Sequence, residues 1–331
     1  MFNNKIIFIT GGTGSWGNEI VSQLLKKFEP REIRIYSRNE FKQVEMQHNF
    51  DNNPILKFII GDVRDKNTLG LKMKNVDYIF HLAALKHVPV CEKNCWEAIL
   101  TNIFGTQNVI ECAINNNVKK VFYISSDKAV DPLSIYGVTK ACSEKLIINS
   151  NINYMNNTKF VCIRCGNIIG TSGSVLPMFK KQILEKNEIT ITDPNMTRFL
   201  MSIETATGLL FEVINRSYGG EIFVLKMPSM TLKNIAQVMI ELFGNGFTKE
   251  KIIGARPGDK MHAVLVSKNE SAKTKQLDEN YYLILPVYKN EIIEEKYKDL
   301  EPIEIDEFTS SNARKLGDNE FLEILKKEKW F

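Results

Sequence analysis

Short apolar runs alternate with amphipathic segments along the first half of the chain. The apolar runs occupy residues 5–10, 32–36, 56–60, 77–82, 119–124 and 159–165. Unbroken runs of this length are typical of strands in a parallel sheet that is covered on both faces. The segments between them carry apolar residues at helical spacing, as at Val21, Leu24 and Leu25, and a long helix is predicted over 92–116. These repeated units predict an α/β fold with a doubly wound parallel sheet.

A glycine-rich segment follows the first predicted strand directly and leads into the first predicted helix. Strand, glycine turn and helix in this order are the context of a dinucleotide-binding (Rossmann) site, because the helix N terminus offers N–H groups and partial positive charge to phosphates. We expect Gly11 to permit the tight turn, Gly14 to let the backbone approach a pyrophosphate and Gly17 to allow close helix packing. The predicted cofactor contacts in this segment are Gly11, Thr13, Gly14, Ser15, Trp16 and Gly17.

The residues after the second strand favour NADP over NAD. The strand ends in Ser37-Arg38, with Lys42 one helical turn further on. An NAD-selective site usually has an acidic residue here for the ribose 2′-hydroxyl. A hydroxyl and two cations suit a 2′-phosphate instead, and a solvated positive loop is the alternative. Later strand ends supply the further cofactor contacts Asp62, Val63, Ala83 and Ala84, with Asp62 directed to the adenine amino group.

The most informative stretch lies after the fifth strand. Tyr136 and Lys140 stand four residues apart and share one face of a predicted helix. A lysine ammonium there lowers the pKa of a tyrosine, which can then take a hydroxyl proton while a nicotinamide takes the hydride. Asp127 and Lys128 lie just upstream, and simple oxidation does not need them. An acid can protonate a leaving hydroxyl and a neutral amine can remove a carbon-bound proton, so the four residues predict oxidation coupled to loss of water.

The strict strand–helix alternation ends at about residue 167. We therefore predict an NADP-binding Rossmann domain at 1–166 and a smaller C-terminal α/β part at 167–290 that binds the substrate and interleaves with the first. Residues 291–331 are charge-rich and are predicted to form a peripheral extension. A short amphipathic helix is predicted within it, at 321–330.

Composition excludes several other classes of protein. The 331 residues include 44% hydrophobic and 25% charged residues, as in an ordinary globular protein. The net charge of +4 is spread along the chain, which argues against a nucleic-acid surface. Because no apolar run approaches the ~18 residues of a membrane span and no signal peptide is recognised, a cytoplasmic protein without membrane contact is expected. Among the six cysteines, Cys162 and Cys165 form a CxxC pair, but in a predicted strand positions three apart face opposite sides, and no second pair completes a site. The four histidines do not cluster at ligand spacing, so no metal site is predicted.

Further segments extend these motifs over nearly the whole chain. They are 35–40, 61–65, 83–89, 126–130, 166–167, 173–175 and 193–199. With them the chain resembles the extended short-chain dehydrogenase/reductases that modify nucleotide sugars and, among these, the soluble, C5-inverting UDP-N-acetylglucosamine 4,6-dehydratases. The residues that depart from the usual family pattern are Ser172, Thr205, Asp259 and Ala263, all in substrate-side segments.

The resemblance implies a lyase of surface polysaccharide or glycan biosynthesis that acts on a UDP-sugar. Tyr136, helped by Lys140, would take the proton of the sugar 4-hydroxyl as hydride passes to NADP. Lys128 would then remove the proton on carbon 5, and Asp127 would protonate the 6-hydroxyl as water leaves. Return of the hydride to carbon 6 regenerates NADP. The implied substrate-binding residues are Lys86, His87, Asn167, Ser174, Arg198, Arg256 and His262, of which Lys86 also contacts the cofactor. A homo-oligomer is expected.

Two other functions stay open. A nucleotide-sugar 4-epimerase needs Tyr136, Lys140 and the cofactor but no acid for water loss, so Asp127 and Lys128 argue against it. A noncatalytic NADP-binding sensor would tolerate loss of these four residues, and all four are present.

Overall fold

The computed structural model describes residues 1–153, 157–171, 174–255, 258–288 and 290–331. Its strands are β1 (Ile6–Thr10), β2 (Glu32–Ser37), β3 (Leu56–Ile60), β4 (Tyr78–His81), β5 (Lys120–Ser126), β6 (Lys159–Cys165), β7 (Asn167–Ile168), β8 (Glu188–Ile191), β9 (Thr197–Met201), β10 (Ile222–Leu225), β11 (Ser229–Thr231), β12 (Lys249–Ile252), β13 (Val264–Val266), β14 (Thr274–Gln276), β15 (Tyr281–Ile284) and β16 (Phe308–Thr309). Its helices are α1 (Ser15–Lys27), α2 (Glu40–Asn49), α3 (Lys66–Lys72), α4 (Val88–Lys93), α5 (Cys95–Ala98), α6 (Gly105–Asn115), α7 (Ile135–Asn153), α8 (Val175–Lys186), α9 (Ile203–Arg216), α10 (Leu232–Phe243), α11 (Lys268–Ser271), α12 (Glu291–Lys296) and α13 (Asp318–Lys327).

One twisted sheet organises the larger part of the fold. Within the described residues it has nine strands in the order β3-β2-β1-β4-β5-β6-β10-β15-β14. All pairs from β3 to β10 are parallel, and the last two pairs are antiparallel. The central strand β1 is buried along its whole length, as its unbroken apolar run predicts. The predicted doubly wound parallel sheet is confirmed, and the strand order reverses between β1 and β4, where such sheets bind ligands.

The helix predicted over 92–116 is divided in the structure. Its place is taken by α4, α5, a π-helical turn at 99–104 and α6. The reason lies in tertiary contacts, because Asn102 in the π-helical turn is buried and its side chain amide donates to the Leu85 carbonyl and to Thr139 Oγ1, at 3.0 and 2.9 Å. These bonds connect the end of β4 to α7. Apolar spacing alone does not report such a change of helix type.

A second, smaller core lies in the C-terminal part. It is formed by α8, α10 and α13 with the short strands around them, and its buried side chains include Phe179, Ile189, Ile235 and Met239. Two of the small sheets frame it, one of β7, β9 and β11 and one of β8 and β12. This is the smaller α/β part that the end of the strand–helix alternation predicts.

Residues 291–331, predicted to be a peripheral extension, contribute buried side chains to both cores. Ile293 and Tyr297 belong to the larger core, whereas Phe321 and Leu325 of α13 belong to the smaller one. The sequence does not indicate this role, because the apolar residues of the segment are few and widely spaced among charged ones. Among the described residues, none of the helices has the length and hydropathy that a bilayer-spanning segment requires.

Candidate active site

Two adjoining cavities open at the carboxyl ends of the parallel strands. The first, here called the cofactor cavity, has a volume of ≈ 390 Å³. Its lining includes Gly11, Thr13, Gly14, Ser15, Trp16, Ser37, Arg38, Lys42, Asp62, Val63, Ala83, Ala84, Lys86, His87, Thr101 and Thr171. The second, the catalytic cavity, is lined among others by Trp16, Lys86, His87, Ser125, Ser126, Asp127, Lys128, Tyr136, Lys140, Cys165, Asn167, Thr171 and Ser174. Residues that lie far apart in sequence thus share one cleft, because parallel strands end at the same edge.

The glycine segment forms a close-fitting cradle in the wall of the cofactor cavity. Gly11 has φ +65°, and a Cβ there would lie 2.8 Å from the backbone N and Cα atoms of Ala83. A Cβ on Gly17 would lie 2.0 Å from the Gly12 carbonyl oxygen, so Gly17 serves helix packing and does not line the cavity. The cradle opens at the N terminus of α1, which suits a diphosphate. Thr101 Oγ1, buried in the same wall, has no hydrogen-bond partner among the described residues. The site therefore fits a dinucleotide.

Two cationic side chains lie in the wall of the cofactor cavity. Arg38 and Lys42 both line it, and Arg38 is half exposed. Burial raises the pKa of Asp62, but hydrogen bonds and the charge of Arg64 outweigh it and hold the pKa below its usual value. Arg64 donates to Asp62 from Nε and Nη2. Asp62, expected to accept from an adenine amino group, is thus already paired with an arginine.

Tyr136 and Lys140 both lie on α7 and face the catalytic cavity. The predicted effect of the lysine on the tyrosine is wrong for this structure, because the pKa of Tyr136 is raised, first by burial and then by the charge of Asp127. The Lys140 ammonium donates to the Ile124 carbonyl at 2.6 Å and lies 3.9 Å from the ring centre of Tyr123. Burial lowers the pKa of Lys140 to about 8. The protein by itself therefore keeps the phenol protonated.

Asp127 and Lys128 form an ion pair on a 3₁₀ turn directly after β5. The Lys128 ammonium is 3.2 Å from both carboxylate oxygens of Asp127. Only Asp127 is deeply buried, since the side chain of Lys128 is 38% exposed at the cavity mouth. The Ser126 hydroxyl donates to Asp127 at 2.8 Å and also hydrogen-bonds Tyr136. The hydroxyl thus lies between acid and phenol, while the amine contacts the acid directly.

Two buried side-chain oxygen atoms on the substrate side are available to bind a ligand. Asn167 Oδ1 and Ser174 Oγ line the catalytic cavity, are buried and have no hydrogen-bond partner among the described residues. Burying an unpaired oxygen is unfavourable, so these atoms mark where a polar ligand would bind. Lys86 and His87 line both cavities. Burial and the nearby Lys128 and Lys42 lower the pKa of Lys86, which a phosphate would reverse.

Arg198 and His262, which were also predicted to bind the substrate, lie outside the walls of the two main cavities. Arg198 lines a smaller adjoining cavity together with Asp127, Lys128 and Lys260, and burial lowers the pKa of its guanidinium. His262 instead binds Thr197, with 2.8 Å between Nδ1 and Oγ1, and is absent from the walls of the two main cavities. Arg256 lies outside the described residues.

Several cavity residues escaped the sequence analysis. Ser126 lies in the catalytic run itself, and its position just before an acid and an amine at a strand end was a usable signal. The others are Thr101, Ser125, Cys165 and Thr171. Ser125 Oγ is buried without a partner among the described residues. Ser125 stands in the same run as Ser126, whereas Thr101, Cys165 and Thr171 lie outside the segments that the sequence singled out, so only the fold brings these three to the site.

The comparisons with known proteins agree with this geometry. Residues 7–285 match the model of a family described as "Polysaccharide biosynthesis protein". A Campylobacter jejuni protein named UDP-N-acetylglucosamine 4,6-dehydratase (inverting) is 45% identical over 292 residues, which cover 87% of this chain and 85% of that protein. A Rickettsia bellii protein named UDP-glucose 4-epimerase is 42% identical over 332 residues, covering 98% and 96% of the two chains.

A solved structure extends the similarity to the whole fold. The X-ray structure of Pen from Bacillus thuringiensis superposes with a TM-score of 0.90 at 38% identity. The match covers 98% of this chain and 99% of that one, so the C-terminal segment is included.

Proposed function

Because the chain belongs to the family of polysaccharide biosynthesis proteins, we propose that it is a nucleotide-sugar 4,6-dehydratase. More narrowly, its substrate is UDP-N-acetylglucosamine, its cofactor is NADP, and carbon 5 is inverted. The observation that carries the proposal is the Asp127–Lys128 pair, which lines the same cavity as Tyr136 and Lys140. The C. jejuni relative, named for this reaction, supports the choice of substrate and stereochemistry.

The cofactor proposal rests on the shape and charge of its cavity. The glycine cradle and the N terminus of α1 would hold the diphosphate, and Arg38 and Lys42 would bind a 2′-phosphate. When bound, NADP would accept a hydride from carbon 4 of the sugar and return it to carbon 6. It would also place a positive ring charge near Tyr136, which favours the phenolate that the protein alone disfavours.

The first task of the protein is to take the proton of the sugar 4-hydroxyl. Tyr136 is the acceptor, and Ser126 would stabilise its charge, while Lys140 lines the same cavity. Loss of the hydride and this proton leaves a ketone at carbon 4, which acidifies the hydrogen on carbon 5. The resting Tyr136 therefore need not be a strong base before both ligands are bound.

The second task is the removal of water. Lys128 takes the proton from carbon 5, the electron pair of that bond forms the carbon 5–carbon 6 double bond, and the bond from carbon 6 to oxygen breaks. Asp127 supplies the proton with which the hydroxyl leaves as water. The ion pair reaches these neutral forms by passing a proton from lysine to carboxylate across 3.2 Å.

A mass measurement tests the proposal. Incubation of the protein with UDP-N-acetylglucosamine is expected to give a product lighter by one water, with one deuterium on carbon 5 when the reaction runs in heavy water. Product NMR then shows the inverted configuration at that carbon. A product of unchanged mass would refute the dehydratase.

A nucleotide-sugar 4-epimerase is the second candidate. The R. bellii relative of that name matches this chain over nearly its full length, and Tyr136 with Lys140 would serve that reaction equally. Epimerisation would give Asp127 and Lys128, which line the same cavity, no role in the reaction. UDP-glucose supplied as substrate separates the two, since an epimerase yields the 4-epimer of equal mass. The homo-oligomer and the cytoplasmic location stay predictions.

A further inference from the structure

The last residues of the chain lie against the substrate side of the site. After α13 the chain turns through Lys329, which has φ +55°, and residues 327–330 run along the surface of the second core. We call these four residues the C-terminal strap. They contact the first turn of α9, the side of α8 and the connection between β7 and α8.

Glu328 connects the strap to α9. Burial, with the charges of Glu19 and Glu204, raises the pKa of Glu328, and hydrogen bonds from the backbone N–H groups of Ile203 and Glu204, in the first turn of that helix, oppose this rise. A carboxylate at this place satisfies N–H groups that have no partner within the helix and complements the helix dipole. Glu328 also lines a third cavity together with Ser15 and Glu19 of α1. The strap is therefore held at the point where α9 approaches the cofactor-binding helix.

Trp330 connects the strap to α8 and to the connection before it. Its indole ring lies 3.7 Å from the position that a Cβ on Gly170 would take. Its carbonyl accepts a hydrogen bond of 2.8 Å from Lys180 Nζ. The same ammonium lies 4.5 Å from the ring centre of Phe243 in α10. Trp330 thus packs directly on the backbone at Gly170, where no side chain intervenes.

That connection is a wall shared by three cavities. Ile169 and Gly170 line the third cavity beside the strap. Thr171 lines both the cofactor cavity and the catalytic cavity. Ser174, at the start of α8, presents its unpartnered hydroxyl to the catalytic cavity. Gly170, beside the strap, and Thr171, in the walls of the two main cavities, are consecutive residues, so a shift of Gly170 moves Thr171 with it.

We propose that the C-terminal strap, through Glu328 and Trp330, positions Gly170 and Thr171, which follow β7, against the bound nucleotide sugar and cofactor. These two are positioning residues, since neither reaches the catalytic cavity. The proposal rests on the proposed function for its substrate. Its physical content is that the polar atoms of Thr171 and Ser174 are held at binding distance by packing from the side remote from the ligand.

The test compares variants of the strap in the protein isolated with its bound cofactor. Trp330→Ala is expected to raise KM for UDP-N-acetylglucosamine roughly tenfold with kcat within about twofold, because binding contacts rather than transition-state contacts are lost. A smaller fraction of the variant should retain NADP after desalting. Trp330→Phe, which keeps an aromatic ring on Gly170, should restore most of both. Deletion of Phe331, which is 56% exposed, is the matched control and should change neither.

A purely structural role gives a different result. Partial unfolding lowers the number of active molecules, and thus the apparent kcat, but leaves KM unchanged. An unchanged KM in Trp330→Ala would overturn the proposal. Should that variant not fold, Lys180→Met, which removes the donor to the Trp330 carbonyl, decides in the same way. If the wild-type protein does not remove water from UDP-N-acetylglucosamine, the proposed function fails, and NADP retention by the same variants decides on the strap.

Discussion

The ionisation of Tyr136 shows how far a residue's role depends on what surrounds it. The helix spacing of Tyr136 and Lys140 is as expected, yet the ammonium binds the Ile124 carbonyl and the Tyr123 ring face, and burial with the charge of Asp127 raises the pKa of Tyr136. A base that is protonated at rest avoids a buried negative charge before substrate arrives. Activation then belongs to the complex with ligands and not to the free protein.

The separate roles proposed for Asp127 as acid and Tyr136 as base give the first prediction. Asp127→Asn keeps the shape of the side chain and can still accept from Ser126, but it cannot supply a proton. We expect the substrate to reduce the bound cofactor at near the wild-type rate while water loss slows by roughly 10²-fold or more. Absorbance of the reduced nicotinamide and product mass, followed in single turnover, measure the two steps.

The matched variant for this prediction is Tyr136→Phe. It is expected to stop cofactor reduction itself, so no later step is seen. Equal loss of both steps in Asp127→Asn would contradict the separate role assigned to the carboxyl group.

Lys140 should make stability depend on pH in the alkaline range. Burial lowers its pKa from 10.5 to about 8, so between these values the unfolded chain binds a proton that the folded chain has released. The free energy of unfolding therefore rises with pH across this window, by up to about 3 kcal/mol. Below pH 8 the lysine is charged in both states and its burial penalty is constant.

Urea unfolding of the cofactor-free protein between pH 7 and 10 measures this effect. Lys140→Met should be the more stable variant at pH 7 and should lose that advantage as the pH rises. Lys145→Met, at an exposed position on the same helix, is the control and should follow the wild type. A constant difference between Lys140→Met and wild type would refute the lowered pKa.

At the scale of elements, a buried charge cluster fixes the catalytic helix. Arg164 of β6 is 1% exposed and donates to Glu144 of α7, to Glu270 of α11 and to the Leu265 carbonyl. Glu144 lies one helical turn beyond Lys140. The cluster therefore connects the helix of the proposed base to the sheet and to the C-terminal part, with all its charges paired.

Removal of the arginine tests this connection. Arg164→Met leaves the buried carboxylate of Glu144 without its arginine, while Glu270 keeps only its hydrogen bonds from Ser267. We expect the substitution to lower the free energy of unfolding by about 3–5 kcal/mol. Replacing both glutamates by glutamine in the same chain should recover part of the loss. Arg314→Met, which breaks an exposed bidentate pair with Glu320, should cost less than about 1 kcal/mol. Equal effects of the two arginine variants in urea unfolding would exclude a special role of burial.

The elements differ in how well the sequence predicts them. β3 and β6 have the predicted bounds, because an unbroken apolar run between polar turns leaves a parallel strand few alternatives. The prediction of one continuous helix over 92–116 was wrong, because the side chain of Asn102 forms hydrogen bonds with residues that are distant in sequence. The packing of α13 on the second core could not be predicted, because an amphipathic pattern does not state which partner its apolar face meets.

The candidate site shows the same division. The glycine segment and the run 125–140 could be found because their residues are adjacent in sequence. Asn167, Ser174 and His262 came only from the resemblance to a family, and the structure brings the first two to the catalytic cavity but binds His262 to Thr197. Thr171 has no local signature, since its place depends on how two cores meet. The membership of the family, inferred from these motifs, is confirmed by the comparisons.

At the scale of the whole molecule, the two cavities lie where the two cores meet. The cofactor cavity is lined from the ends of β1, β2, β3 and β4, and Thr171 of the C-terminal part completes it. A ligand there contacts segments that come together only in the folded chain. Binding should therefore stabilise the molecule as a unit, by an amount that the concentration and affinity of the ligand determine.

This linkage distinguishes NADP from NAD without any measurement of turnover. At a concentration about 100 times its Kd, a ligand adds about 2.7 kcal/mol to the free energy of unfolding. We expect NADP to raise the Tm of the cofactor-free protein more than NAD at equal concentration, because only NADP offers a 2′-phosphate to Arg38 and Lys42.

Arg38→Met should remove most of the difference between the two Tm shifts and leave the shift caused by NAD unchanged. The control is Arg31→Met, which removes the same single positive charge at an exposed position before β2, outside the cavity. It should behave as wild type. Equal shifts by both dinucleotides in the wild-type protein would make NAD the better choice, because the two cations would then be solvated surface charges.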